Sequence, residues 1–291
     1  QHSDQFQIYP KLTILTDDTI VIVWESFGQD GDLRGVFGRM FNSDGTPQGN
    51  EFQINQTTSF NQRGPTIDAL PGGGFVVAWI SERSLGPDAN GGTKYTADLM
   101  VRKYSASGEP LGDELKVNNN NHFCATPDVV GLSGDSWVLA WSQKAVSDRA
   151  SGWDIYSVGF MSDGIKLNAA AKINQHTYGD QHSPEIAARG TTLLVVWSSM
   201  GQDGSHDGIY SRTADTQGLA FGSETLINTS TFNRQIQPAV GVDHAGRFLV
   251  VWSSYVNGGS YFDLHAQRFS ATATLPEIAA PFASALSPDS I

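Results

Sequence analysis

Three carboxylates, Asp68, Asp128 and Glu185, lie on or beside short apolar segments that each follow a proline, at Pro65, Pro127 and Pro184. Gathered at one axis, they could supply the two dissimilar acids that glycosidic cleavage needs, or hold a cation. Solvation by water in a channel is the plainer outcome. A second group sits in Asp-Gly loops, Ser26-Phe-Gly-Gln-Asp-Gly-Asp32 and Ser199-Met-Gly-Gln-Asp-Gly-Ser-His-Asp207. Closely spaced carboxylates and carbonyls suit a hard cation, which makes Asp30, Asp32, Asp203 and Asp207 candidate Ca²⁺ ligands. The twelve-residue spacing of an EF-hand is absent, and Asp-Gly is also ordinary turn chemistry. His176, Asp180, His182, His206 and Asp207 could converge on a transition metal, with exposed loop histidines as the alternative.

The third group is amides and aromatics. Loops running from Asn to Gln-x-x-Pro recur as Asn55…Gln62-Arg-Gly-Pro65, Asn174…Gln181-His-Ser-Pro184 and Asn228…Gln235-Ile-Gln-Pro238, and the Asp-Gly loops add Gln29 and Gln202. Phe27, Trp153 and Tyr255 lie near these amides in sequence. Aromatic faces beside amides hold sugar rings by stacking and hydrogen bonding, so these eleven residues form the candidate ligand site. Two plainer roles compete: the amides satisfy backbone groups of long loops, and the aromatics pack between loops. Cys124, the single cysteine, stands where the third copy should have its glutamine. The chain contains no H-E-x-x-H, G-x-S-x-G, P-loop, dinucleotide fingerprint, C-x-x-C or sialidase-type Asp-box.

The elements that position these groups are repeated. Trp24, Trp79, Trp141, Trp197 and Trp252 end five apolar runs, such as Phe75-Val-Val-Ala-Trp79, at intervals of about 55 to 62 residues. Each run is short, β-branched and aromatic, which reads as a buried strand. Around each, the pattern predicts a first strand after the proline, a glycine or Asp-Gly hairpin, a third strand such as Asp98–Tyr104, and a fourth strand ending in Asn. Four antiparallel strands repeated at this period predict an all-β, five-bladed β-propeller. The alternative is an array of small β-sandwich units, which needs more strands per unit than this length supplies. One domain is expected over residues 1–280, with blades at about 10–55, 65–118, 127–174, 184–228 and 238–280. Leu275 to Ala280 would give the fifth blade a degenerate last strand, and 281–291 would be a tail.

Hydrophobic residues make up 39% and charged residues 16%, with 31 glycines, a turn-rich β composition. The net charge of −12 and the lack of a basic stripe argue against nucleic acid as a partner. No apolar run approaches the roughly 20 residues of a membrane-spanning helix. A start at Gln1 without Met reads as a processed segment, consistent with secretion.

The consensus P-x-I-x-x-L-x-x-G-x-F-V-V-x-W-x-S, followed by G-Q-D-G, G-I-Y and E-x-x-I-N, resembles a repeat of secreted bacterial cell-surface, adhesin-like proteins, over residues 7 to about 270. The geometry is similar to five-bladed lectins of the tachylectin kind, although this sequence departs from them in blade length and shares no sugar-binding motif. The resemblance implies an extracellular location, and a glycan or another extracellular protein surface as partner. It carries no catalytic residue across. The expected function is therefore a secreted, non-enzymatic binding module on glycans or another surface that requires no cofactor, with Ca²⁺ as an ion its Asp-Gly loops could hold. The alternatives are a self-associating structural subunit of a layer or filament, and a polysaccharide-acting hydrolase or lyase using Asp68, Asp128 and Glu185.

Overall fold

A computed structural model describes residues 5–87, 90–119, 121–145, 152–255 and 261–269. Its elements are almost entirely strands, with one 3-10 turn at Ser133–Asp135. Blade one is β1 (Gln7–Ile14), β2 (Ile20–Phe27), β3 (Arg34–Phe41) and β4 (Pro47–Gln53). Blade two is β5 (Gln62–Ala69), β6 (Phe75–Pro87), β7 (Thr93–Tyr104) and β8 (Leu115–Lys116). Blade three is β9 (Phe123–Gly131), β10 (Trp137–Lys144), β11 (Asp154–Phe160) and β12 (Ala171–Lys172). Blade four is β13 (Gln181–Arg189), β14 (Thr192–Met200), β15 (Asp207–Ala214) and β16 (Ala220–Leu226). Blade five contributes β17 (Gln235–Val242), β18 (Phe248–Tyr255) and β19 (Phe262–Phe269); the expected strand at Leu275 to Ala280 falls outside the described residues. All neighbouring strands pair antiparallel. The fold is the five-bladed β-propeller that the repeat predicts, and separate sandwiches are excluded because each sheet packs on the next.

That packing follows from the two faces of the second strand. Trp79, Val77 and Phe75 face backwards and pack on Val21, Val23, Val36 and Ile54 of blade one. The alternate residues Val76, Ala78 and Ile80 face forwards onto Trp141, Leu139 and Trp137 of blade three. The same interdigitation joins blade three to four through Trp197, and four to five through Trp252. A continuous run of apolar residues is therefore required, because both faces of the strand are buried. Trp79, Trp141 and Trp197 are fully enclosed. An indole buries roughly 150–250 Å², about 4–6 kcal/mol of gross transfer free energy at ~25 cal/mol/Å².

The first strands of successive blades touch one another, which places them innermost, around the propeller axis. Within each, near its start, the register slips by a residue, a β-bulge at Ile8/Lys11, Arg63/Thr66, Ala125/Asp128, His182/Glu185 and Ile236/Ala239. The residue before each proline takes the bulge in a left-handed conformation: Tyr9 (φ 53°), Gly64 (60°), Thr126 (45°), Ser183 (53°) and Gln237 (54°). Four of the five are not glycine, and each such residue costs on the order of 1–3 kcal/mol. The bulge turns the chain at the mouth of the axial channel.

Candidate active site at the propeller axis

The five bulges surround a cavity of about 620 Å³ lined by the residues flanking the five prolines. Two rings of side chains project from the first strands at and below its floor. Strand register defines them: the upper ring, opposite the residue preceding each tryptophan, is Lys11, Thr66, Asp128, Glu185 and Ala239. The ring two residues further along is Thr13, Asp68, Val130, Ala187 and Gly241. The repeat fixes backbone positions here and leaves the side chains free to differ.

Of the three candidate acids, Glu185 alone lines the cavity. Its carboxyl hydrogen-bonds that of Asp128 and ion-pairs with Lys11 across the axis at 3.6 Å. Burial first, and the neighbouring Asp128 carboxyl second, push Glu185 up to about 8 against the pull of Lys11. Asp128 lies beneath: Thr66 Oγ1 donates to its Oδ1 at 2.8 Å and the Ile186 N–H to its Oδ2 at 2.9 Å. Burial raises its pKa, and those two donors and Lys11 oppose the rise. Asp68 is deeper and ties blade to blade, accepting from Gly131 N at 2.8 Å, Ala69 N at 2.9 Å and Thr13 Oγ1 at 3.3 Å. Burial raises its pKa as well. The structure thus brings Asp128 and Glu185 together and leaves Asp68 as a structural tie.

The cavity wall holds a second carboxylate that the sequence reading passes over. Glu25, on β2, accepts from Gly64 N at 2.6 Å and from Arg34 Nη1 at 2.9 Å. Arg63 also lines the wall, with its Nε donating to Glu82 Oε1 at 2.7 Å. A signal for Glu25 was present: at its place in the repeat, directly after the tryptophan, the other copies have Ile80, Ser142, Ser198 and Ser253. Lys11 departs from the repeat in the same way.

The expected ligand-binding amides are placed differently. Asn55, Asn174 and Asn228 are buried, and each accepts the N–H of the strand-three residue beside it: Val36 at 2.8 Å, Ile155 at 2.7 Å and Ile209 at 2.7 Å. Their Nδ2 groups donate to Thr57 O, His176 O and Ser230 O. Gln62, Gln181 and Gln235 have no exposed surface and donate to Ser59 O, Tyr178 O and Phe232 O within the same loops. In blade three the amide crosses to the partner strand: Cys124 faces Gln143 where the other copies pair Gln with Ser, and Gln143 Oε1 accepts from the Trp141 indole at 3.3 Å. Gln29 and Gln202 donate to Glu51 and Glu224. Phe27 and Trp153 are half-buried, and Tyr255 packs edge-on against Phe262 at 5.7 Å.

The candidate calcium ligands are also engaged by protein. Asp30 and Asp203 accept from the Nδ2 of Asn55 and Asn228, Asp32 accepts from Phe60 N, and Asp207 faces His182 and Arg234. Asp180 accepts from Trp153 N. Among the described residues no three His, Cys, Asp or Glu side chains converge as a metal site requires. Cys124 is buried, and burial pushes its thiol up to about 12, which suits packing and not nucleophilic attack.

No protein-family model and no curated protein matches the chain. Solved structures do match in fold. An α-L-arabinanase of Penicillium chrysogenum complexed with arabinobiose superposes with a TM-score of 0.62 at 13% identity, covering 93% of this chain and 79% of its own. The NanB sialidase of Streptococcus pneumoniae, as its K499G mutant, gives 0.60 at 8% identity, with 94% and 60% covered. A thermostable family-43 glycoside hydrolase gives 0.53 at 10% identity, with 96% and 94% covered. At these identities the likeness is one of fold. The expectation of a non-enzymatic binding module is corrected: its amides are enclosed within their own loops, the three solved structures named above are an arabinanase, a sialidase and a glycoside hydrolase, and the unrepeated charged residues gather at the axis.

Proposed function

We propose that the chain is a polysaccharide hydrolase acting outside the cell, with its reacting centre on the floor of the axial cavity. The observation that carries this reading is Glu185, a carboxyl at the cavity floor that keeps its proton near neutral pH because it is buried beside Asp128. A general acid needs that property to protonate a leaving oxygen. In this reading the Glu185 proton passes to the glycosidic oxygen as the bond to the anomeric carbon breaks. Glu25, ion-paired with Arg34 at 2.9 Å, takes a proton from the water that attacks that carbon. Asp128 positions Glu185 and sets its acidity. The glycoside hydrolases named above support the reading to the extent that the same fold carries this chemistry in them.

Lys11, Arg34 and Arg63 line one cavity in a chain of net charge −12. With Glu185 protonated, Glu25 is the one anionic side chain lining the wall against these three cations, so the mouth favours a polysaccharide that carries carboxylates. The test is release of reducing ends from a panel of neutral and uronate-containing polysaccharides, by the native chain and by Glu185→Gln. Turnover that falls by about 10²–10⁴-fold in the variant is expected. Equal turnover in both, or none on the whole panel, overturns the reading.

A further inference from the structure

The second and third strands of blade two, β6 and β7, are 13 and 12 residues long, where those of the other four blades are 7 to 9. Among the described residues, their share of the core stops at Ile80 on β6 and Ala97 on β7. Ser81 pairs with Gln62 at the start of β5, so Glu82 to Pro87 carry the hairpin about 20 Å past that point. The extension stands on the mouth side, because Arg63, Gly64 and Pro65 line the axial cavity. A two-stranded ribbon alone is marginal in water, and this one is tied at its base. Glu82 accepts from Arg63 Nε at 2.7 Å and from Asn61 Nδ2 at 2.8 Å. Arg83 donates to Asp98 Oδ2 at 2.6 Å and to Asn121 Oδ1 at 2.8 Å. The buried Thr96 hydroxyl donates to His122 O at 3.1 Å.

The extension holds one aromatic, Tyr95, which is 48% exposed. It pairs with Ser84 where the register shifts between Ser84 and Gly86, a β-bulge of the kind that re-aims a side chain. The Tyr95 ring meets Phe60 at 5.7 Å and 79°, edge to face. Phe60 stands three residues before Arg63, at most about 10 Å of chain from the cavity wall. We propose that this hairpin is a second sugar-binding wall, in which Tyr95, propped by Phe60, stacks on a remote unit of the polysaccharide whose reacting unit sits at Glu185. The inference rests on the proposed hydrolysis and adds to it the class of substrate: a long polymer, not a short oligosaccharide. The apolar C–H face of a sugar ring packs on an aromatic face. A ring held on a tied hairpin loses little freedom when it does so, and binding at remote units supports the reacting centre. Blade two alone has this extension, as the axis alone has the unrepeated acids.

The test is affinity electrophoresis through gels containing polygalacturonate or arabinan, with Glu185→Gln as the parent so that the polymer stays intact. Adding Tyr95→Ser should weaken retardation about 3- to 10-fold, and Tyr95→Phe should keep it. Tyr95→Leu keeps bulk against Phe60 without the aromatic ring, which guards against loss of fold, and should behave as Tyr95→Ser. With Glu185 intact, Tyr95→Ser should lower the ratio of kcat/KM on the long polymer to that on an oligosaccharide of about two units by the same factor. Equal retardation with and without the ring overturns the inference and leaves the hydrolysis standing. A loss of rate equal on long and short substrates overturns it too, since it makes Tyr95 a structural residue. Retardation through Tyr95 with no release of reducing ends upholds the wall and overturns the hydrolysis. No retardation by either polymer overturns the wall.

Discussion

The loop network around Asn55, Asn174 and Asn228 and the axial cavity around Glu185 are both polar, and they differ in one respect that decides their roles. The network is repeated: in the Asn55, Asn174 and Asn228 loops alike, the Asn caps a strand-three N–H, a carboxylate receives its Nδ2, and a Gln closes the loop. The cavity is unrepeated: at one level of the first strands the five copies carry Lys, Thr, Asp, Glu and Ala. In a repeat protein a polar group present in every copy is explained by what every copy needs, which is a closed loop. A polar group present in one copy needs a local reason. Chemistry requires dissimilar groups at one place, so the departures mark the candidate site and the consensus marks the scaffold.

The sharpest way to break this contrast is to substitute one member of each set. Glu185→Gln should lower turnover by about 10²–10⁴-fold while the midpoint of chemical denaturation changes little. Asn174→Ala should do the reverse. It strips Ile155 N–H of its acceptor and frees the Gln181, Asp154 and His176 partners inside a buried loop, which costs about 1–3 kcal/mol. The residual activity per folded molecule should stay native. Paired denaturation curves and initial rates settle both; an unstable Glu185→Gln with normal turnover would reverse the assignment.

The pH dependence sharpens the contrast further. Glu185 has a folded value of about 8, above that of the unfolded chain, so the folded state binds this proton more tightly. The stability it lends is complete in acid, below the ordinary carboxyl range, and is lost as pH rises to about 8. Activity that needs the protonated acid should fall over the same upper limb. Asp128→Asn removes the neighbouring charge that raises Glu185 and should move this limb to lower pH. Lys11→Met removes the group that opposes the rise and should move it to higher pH. Opposite displacements in a pH–rate profile are hard to produce by a general loss of packing; limbs that stay put in both variants would disconnect Glu185 from the rate.

Much of the fold was legible because a strand buried on both faces must be written as a continuous apolar run, and five such runs ending in tryptophan leave little freedom. The amides were legible as positions and misread as roles. A polar loop reads the same in sequence whether its side chains face water or close on its own backbone, and only the burial of Gln62, Gln181 and Gln235 separates the two. The first-strand carboxylates were found because the repeat placed them near an axis. Their unequal depth was not legible, since Asp68 and Asp128 differ by a two-residue step around the ring. Glu25 was missed because the second strand reads as scaffold throughout, yet comparison of the copies one residue past the tryptophan exposes it.

The smallest expected effect tests the sign of the cavity. Arg63 is one-third exposed and already paired with Glu82, so its charge at the mouth is partly spent and screened by solvent. Arg63→Gln should therefore leave turnover of a neutral polysaccharide near native and raise the KM for a uronate polysaccharide only a few-fold. That loss should shrink between low salt and about 0.15 M, where charges more than about 8 Å apart are screened. A salt-independent change shared by neutral and acidic substrates would mean that Arg63 holds the wall through Glu82 and does not read the substrate. In that case the positive mouth would belong with the repeated loops, as scaffold, and Glu185, Asp128 and Glu25 would carry the site alone.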